Sequence, residues 1–365
     1  FGEWEMGLTD LIVSDLVLDR DLRDAFPDSV GDGLARLRLS GPVGMQGTVG
    51  FTGGPGAKPE TRWNLDFDME DLRVECGVVF EHARGQVTLM GAAGRRGLVC
   101  DGVLNLDSVF FRKHHLVNVN GPIRFDDKNL YVGSQATEQQ RRRIPQSVRA
   151  RALGGSLTVD AKIAANHGDM NLDVGLESAD LRNISREFDF RRSDVNGKTS
   201  ITASLSGKAS DPETWRGGGV VRLWDADLYE SPFMVRLLSV LKNARFDKST
   251  FSRSNMDYRV EGDRIVFDRV TLEGPIRLQG RGELTRQRQL DMNFYVELLD
   301  EKRQLPIFRP LAMGANKNAL SIRVTGTLDE PIIEKQPFPD LNRGLQEIFD
   351  ESGSRDSAGR ARSGR

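Results

Sequence analysis

A mainly β protein is predicted: a long curled antiparallel β-sheet, either an open groove or a partly closed β-sandwich-like body, with a few short amphipathic helices. Three observations predict it. Stretch after stretch alternates apolar and polar residues, the spacing that puts every second side chain on one face of a strand. The 38 glycines among 365 residues suit a chain with many turns. Stretches with helical spacing are few and short. One-sided alternation argues for antiparallel pairing, since strands buried on both faces of a parallel sheet read apolar throughout.

Taken in order, DRDLRDAFPDS holds a helical turn ended near Pro27, and GGPGAKPE (Gly53 to Glu60) is a surface turn. WNLDF, GQVTLMG and LVCDGVLNL then alternate, the last with Leu98, Cys100, Leu104 and Leu106 on one face. VNVNGPIRFDD carries a Gly-Pro inside the alternation, and VTLEGPIRLQG repeats it 153 positions on. Proline cannot donate to a ladder and glycine weakens one, so both copies predict a bulge or sharp bend in a strand that keeps its apolar face. Ser134 to Gly155 has a basic run and no alternation, and reads as a linker. SLTVDAKI and MNLDVGL are strands, and LRNISREF (Leu181 to Phe188) is a short helix.

SPFMVRLLSVLKNARF is the best helix: Ser231 caps it, Pro232 fits its first position, and Phe233, Met234, Leu237, Leu238 and Leu241 form an apolar stripe. Val270, Leu272, Ile276, Leu278 and Leu284 share even parity with QLDMNFYVELL, whose Leu290, Met292, Phe294, Val296 and Leu298 predict a one-sided strand. ALSIRVTGTL repeats the pattern with Leu320, Ile322, Val324 and Leu328. PDLNRGLQEIFDE reads as a terminal helix and ESGSRDSAGRARSGR as a disordered tail. The resulting organisation is an N-terminal β-repeat unit over 1–136, a basic linker over 137–155, a C-terminal β unit over 156–335 with a helix near 231–243, a helix over 336–350, and a tail over 351–365.

The net charge of -2 gives no electrostatic reason for a nucleic-acid partner. Cys76 and Cys100 are too isolated for a zinc or thioredoxin-type site; they are either a disulfide of an oxidising compartment or two small core residues. No run of about 20 apolar residues is present to span a bilayer. The opening FGEWEMG reads as a processed or internal start, with any targeting segment upstream.

Little in the chain carries chemistry. Asp66, Asp68 and Glu70 share one strand face, which a calcium ion could use, but no EF-hand spacing follows and the same pattern makes an ordinary solvated face. His114 and His115 are neighbours and point to opposite faces of a strand, a poor chelating pair. His82 and His167 lie in unrelated turns, and there is no nucleophile elbow, phosphate loop or HExxH. Gly217 to Gly219 let a strand approach another backbone closely. Arg141 to Arg143, with Arg149 and Arg151, are either a solvated loop or a contact with anionic headgroups. No metal, cofactor or catalytic residue is predicted.

An ordered series, GGGVVRLWDADLYESPFMVRLLSVL, FSRSNMDYRVEGDRIVFDRVTLEGPIRLQGRGEL, QLDMNFYVEL and IRVTGTLDEPII, resembles the C-terminal region of the AsmA-like superfamily. Those are bacterial envelope proteins anchored in the inner membrane and involved in outer-membrane biogenesis. LRDAFPDSVGDGLARLRLSGPVGMQGTV and GVVFEHARGQVTLMG resemble an upstream unit of the same family. The resemblance implies a membrane-anchored periplasmic protein, its anchor upstream of this chain, with a β-groove for phospholipid or other acyl-chain lipid transport between membranes.

A sheet apolar on one face must cover that face with a second layer or a ligand. Two expectations therefore stand side by side. In one, a lipid-holding groove is lined by Val270, Leu272, Ile276, Leu278, Leu284, Met292, Phe294, Val296, Ile322 and Val324, with Phe233, Leu237, Leu238 and Leu241 as its plug or floor. In the other, the same residues are the closed core of an envelope scaffold with no ligand. A glycan-active enzyme ranks last, because it needs paired carboxylates on a concave face and Asp66 and Asp68 fall on the outer one.

Overall fold

The structure is a computed structural model and describes residues 3–16, 38–55, 59–75, 79–111, 113–139, 144–187, 195–226, 253–273, 276–298, 321–328 and 330–336. Nineteen strands form one sheet. They are β1 (Trp4–Leu16), β2 (Arg38–Ser40), β3 (Val43–Gly53), β4 (Glu60–Glu75), β5 (Val79–Gly94), β6 (Gly97–Phe111), β7 (His114–Asp126), β8 (Asn129–Val132), β9 (Val148–Ala152) and β10 (Gly155–Ala164). They continue as β11 (Asp169–Asp180), β12 (Lys198–Lys208), β13 (Asp211–Trp224), β14 (Arg253–Glu261), β15 (Arg264–Glu273), β16 (Ile276–Thr285), β17 (Gln289–Leu298), β18 (Ser321–Thr327) and β19 (Pro331–Gln336). Two short helices are described, α1 (Ser134–Gln139) and α2 (Leu181–Glu187).

Every pairing is antiparallel and most join strands adjacent in sequence, as the one-sided alternation requires. β1 pairs with β3, leaving β1 at one edge and β19 at the other. Short turns close one end of the strands, between β5 and β6, β10 and β11, β14 and β15, and β16 and β17. The long connections, after β1, β11, β13 and β17, all leave from the opposite end.

The segment predicted as a linker differs from its expectation. Val148–Ala152 is a strand, with Val148, Ala150 and Ala152 buried and Arg149 and Arg151 exposed. Alanine and valine, small beside arginine, hid the alternation. β8 and β9 together make one composite strand between β7 and β10, since each pairs with both. Of the 15 residues between them, Ser134–Gln139 form α1. Asp160 of β10 anchors this excursion on the polar face, accepting the Ser134 N–H and the Ser147 hydroxyl.

The two Gly-Pro copies do different work. Gly121–Pro122 lies inside β7, and its ladder with β6 passes through without a shift. On the other side the partner changes there, from β9 up to Asn120 to β8 from Ile123 on. Pro122, lacking an N–H, sits at that junction, and its carbonyl accepts Gly133 N–H at 2.8 Å. The second copy is a correction to the kinked-strand expectation. Glu273 of β15 faces Arg277 of β16, so the residues before and after the Gly-Pro belong to two antiparallel strands, while Gly274 and Pro275 themselves lie outside the described residues. Even parity survives because directly opposed residues, Leu272 with Leu278 here, share a face.

Bulges hide the continuity of the apolar face from a parity count. Phe267 and Val270 lie on the same face because β15 gains a residue between them. Similar shifts fall between Met69 and Leu72, and between Leu176 and Ala179. α2 bears out the helix read over Leu181 to Phe188 as far as Glu187, and Phe188 lies outside the described residues. Gln336, read as the start of a helix over 336–350, instead ends β19, and the rest of that helix, the helices read at 231–243 and near Pro27, and the tail over 351–365 lie outside the described residues, as do Arg141 to Arg143 and Cys76.

Candidate functional site

One face of the sheet is apolar from end to end. Leu65, Leu89, Gly102, Ile123, Val132 and Ala161 stand directly opposite one another across β4 to β10. The rung continues through Leu172, Leu205, Gly217 and Val260 to Ile265, Leu284 and Leu290. The opposite face is polar and cross-linked. Arg124 pairs with Asp101 at 2.8 Å, Arg259 with Asp268 at 2.8 Å, and Arg323 with Asp291 at 2.9 Å. Such exposed pairs fix register more than they add stability.

Asp66 and Asp68 belong to that polar face. They accept hydrogen bonds from Thr88 Oγ1 and Gln86 Nε2 of the next strand, while Glu70 is exposed. Among the described residues no three His, Cys, Asp or Glu side chains gather as a metal site. His114 meets Glu187 of α2 at 2.9 Å, His115 stacks on Phe110 at 4.6 Å, and His82 meets Asp71 at 2.7 Å.

Burial divides the apolar face into two regions. Under β15 to β18, Val270, Leu272, Leu278, Met292, Phe294, Ile322 and Val324 form one closed cluster with Leu290, and Leu284 packs against it. Phe294 is 1% exposed and Leu278 fully buried. The structure thus brings together most of the even-parity residues predicted to line a groove, and closes them. The side chains of Ile276 and Val296 lie outside the described residues, as do Phe233, Leu237, Leu238 and Leu241. From β3 to β14 the same face differs: Leu65, Leu104, Ile123, Leu172, Leu205 and Val221 are only half-buried. A second buried cluster, with Val43, Leu72, Val109 and Val148, seals this region toward the end of the strands where β2 lies.

A feature missed in the sequence runs along this face. Aromatic rings lie over glycines of the neighbouring strand: Trp4 over Gly53, Trp63 over Gly91, Trp215 over Gly207, Tyr258 over Gly219 and Phe294 over Gly280. A Cβ added at Gly280 would come within 2.4 Å of the Phe294 ring. Tyr258 also donates its hydroxyl to the Thr202 carbonyl at 2.9 Å, bridging β12 to β14 across the glycines of β13. The signal available in sequence was a glycine facing an aromatic, but reading it requires the register. The effect is that each ring packs against the backbone of the neighbouring strand, in the space a side chain at the glycine would occupy.

Cys100 is a buried free thiol on this face. Burial pushes its pKa up to about 12, with the Asp101 carboxylate adding to the effect and the Trp63 indole and Arg124 opposing it. Burial likewise raises the Tyr258 phenol above its ordinary value. A thiol and a phenol whose pKa values burial raises keep their protons, as packed groups do. No helix among the described residues is long and apolar enough to cross a membrane, which says nothing about strands. This chain matches no family model, and no curated protein or solved structure is significantly similar to it.

Proposed function

We propose that this chain is a non-enzymatic module of the bacterial cell envelope that holds phospholipid-like molecules by their acyl chains. The lipid-holding surface is the half-buried apolar face of β3 to β14. One observation carries the reading: between the buried residues of this face, Leu65, Leu104, Ile123, Leu172, Leu205 and Val221 stay half-buried on successive strands, where a packed core would bury them. Acyl chains are the ligand chemistry such a surface suits, because a long apolar trough without charged groups rewards contact along its length and specifies little else. The resemblance to AsmA-like proteins supports a periplasmic, membrane-anchored setting and a part in lipid transport for outer-membrane biogenesis. The closed cluster under β15 to β18 favours a second reading for that part alone, a structural scaffold with no ligand.

The test is substitution on the half-buried face. Leu104→Asp and Leu205→Asp place a carboxylate where it can stay hydrated if the face is a groove. The folded protein is expected to survive with a Tm within a few degrees of wild type, while lipid retained in native mass spectrometry falls. If both variants unfold, or if wild type extracted without detergent carries no lipid, the proposal is wrong.

A further inference from the structure

We infer that the polar face of the sheet carries an anion site for a phosphate group, built on Arg149 and Arg151 of β9. The site goes beyond lipid holding and does not rest on it, because these arginines stand on the face opposite the apolar one. Both are exposed, while Val148, Ala150 and Ala152 of the same strand are buried. Two residues apart in a strand, the arginines leave the same face about 7 Å from each other.

Neither guanidinium has an ion pair or hydrogen bond among the described residues, although arginines elsewhere on this face meet carboxylates of the next strand, as Arg124 meets Asp101 and Arg323 meets Asp291. The cross-strand partners explain the difference. Arg149 stands opposite Asn120 of β7 and Thr158 of β10, and Arg151 opposite Ser156 of β10, all neutral. The next carboxylate along β10, Asp160, serves the α1 excursion instead of Arg149. It accepts the Ser134 N–H through one oxygen and the Ser147 hydroxyl through the other. Glu177 of β11, also opposite Ser156, makes no ion pair with Arg151. A bulge adds a second amide. β7 gains a residue against β9 between Val117 and Asn120, and Asn118 within it is exposed with φ 53°. Asparagine is among the few residues that tolerate this conformation.

Two guanidinium groups thus stand among amide and hydroxyl groups, all able to donate, with no carboxylate between them. A phosphate suits such a surface. It accepts several hydrogen bonds at once, and its oxygens match the planar fork of arginine in bidentate pairs. A free phosphate ester and a lipid headgroup offer the same contacts.

Binding is measured on the full chain at low ionic strength with two probes: glycerol phosphate, read by calorimetry, and vesicles of phosphatidylcholine containing phosphatidylglycerol, read by co-flotation. Arg149→Gln/Arg151→Gln is expected to bind at least one probe about tenfold or more weakly than wild type, since each guanidinium supplies a charge-assisted contact. Arg222→Gln/Arg281→Gln removes the same charge from the same face and is expected to bind as wild type does. Arg222 and Arg281 are likewise exposed and without an ion pair among the described residues, but neither has a second arginine two residues along. Because all four side chains are exposed, both double variants should keep the wild-type Tm without probe. Binding of glycerol phosphate assigns the site to free phosphate esters, and binding to vesicles alone assigns it to headgroups at a membrane surface. The site is overturned if wild type binds neither probe, or if Arg149→Gln/Arg151→Gln binds as wild type does. Equal loss in the two double variants also overturns it, because summed surface charge then accounts for the binding.

Discussion

At the scale of single residues, burial decides what a side chain can do. Cys100 keeps its proton in the folded state up to about pH 12, whereas an unfolded thiol loses it near 9. Between those values the unfolded chain binds fewer protons, so stability falls as pH rises from about 9 to about 12. Cys100→Ala should lack this part of the alkaline decline in Tm, and native Cys100 should resist iodoacetamide that modifies it readily once unfolded. The same unfolding measured without reductant tests pairing with Cys76. Glu75, the chain neighbour of Cys76, ends β4 about 12 residues, or roughly 40 Å, along the strand from Trp63, the residue level with Cys100. Two alkylated thiols are therefore expected. Phe294 gives the opposite extreme to the half-buried face. Phe294→Asp removes a packed ring and buries a carboxylate, and should cost about 4 kcal/mol or more. Asn293→Asp, on the polar side of the same strand, should change stability little by chemical denaturation.

At the scale of elements, glycine positions set where strands can meet. Gly121 has φ +153° and lies against the start of β9; a Cβ there would approach Val148 Cα to 2.6 Å. Gly121→Val should therefore destabilise by about 2 kcal/mol or more, through overpacking against backbone that cannot yield. Gly7 in β1 has no atom within 4 Å of an added Cβ. Gly7→Ala should be neutral or stabilise by a few tenths of a kcal/mol, because it narrows the unfolded ensemble. Urea unfolding of the two variants checks both directions. The composite strand made by β8 and β9 explains why Gly121 is sensitive: its neighbour changes there, and only a residue without a side chain lets Val148 begin its pairing.

At the scale of the whole molecule, each strand touches little beyond its sequence neighbours, as in repeat proteins. Stability should then vary along the sheet instead of collapsing in one step. Amide hydrogen exchange is expected to be slowest in β15 to β18, where the cluster is closed, and fastest in β1 and β3. Uniform protection across all strands would contradict that gradient and weaken the case for an open face. From β3 to β14 ten strand spacings cover about 48 Å, roughly three times the depth of one bilayer leaflet's hydrocarbon. Native mass spectrometry should accordingly find more than one lipid per chain when the protein is saturated.

The sequence by itself determined the fold class and the sidedness of the sheet. Leu65, Phe67 and Met69 against Asp66, Asp68 and Glu70, or Leu290 through Phe294 against Asp291 and Asn293, state which face is apolar, because a strand's period of two needs no partner to be read. It also located the clustered residues of β15 to β18. Tertiary structure decided what the local pattern could not contain. Register placed glycines under aromatic rings, made Gly121–Pro122 the point where a strand changes partner, and joined β8 to β9 into one composite strand. It also decided that the same alternation is closed in one region and half-open in another. A strand's residues fix which side is apolar, but whether that side is covered depends on what the rest of the chain brings against it.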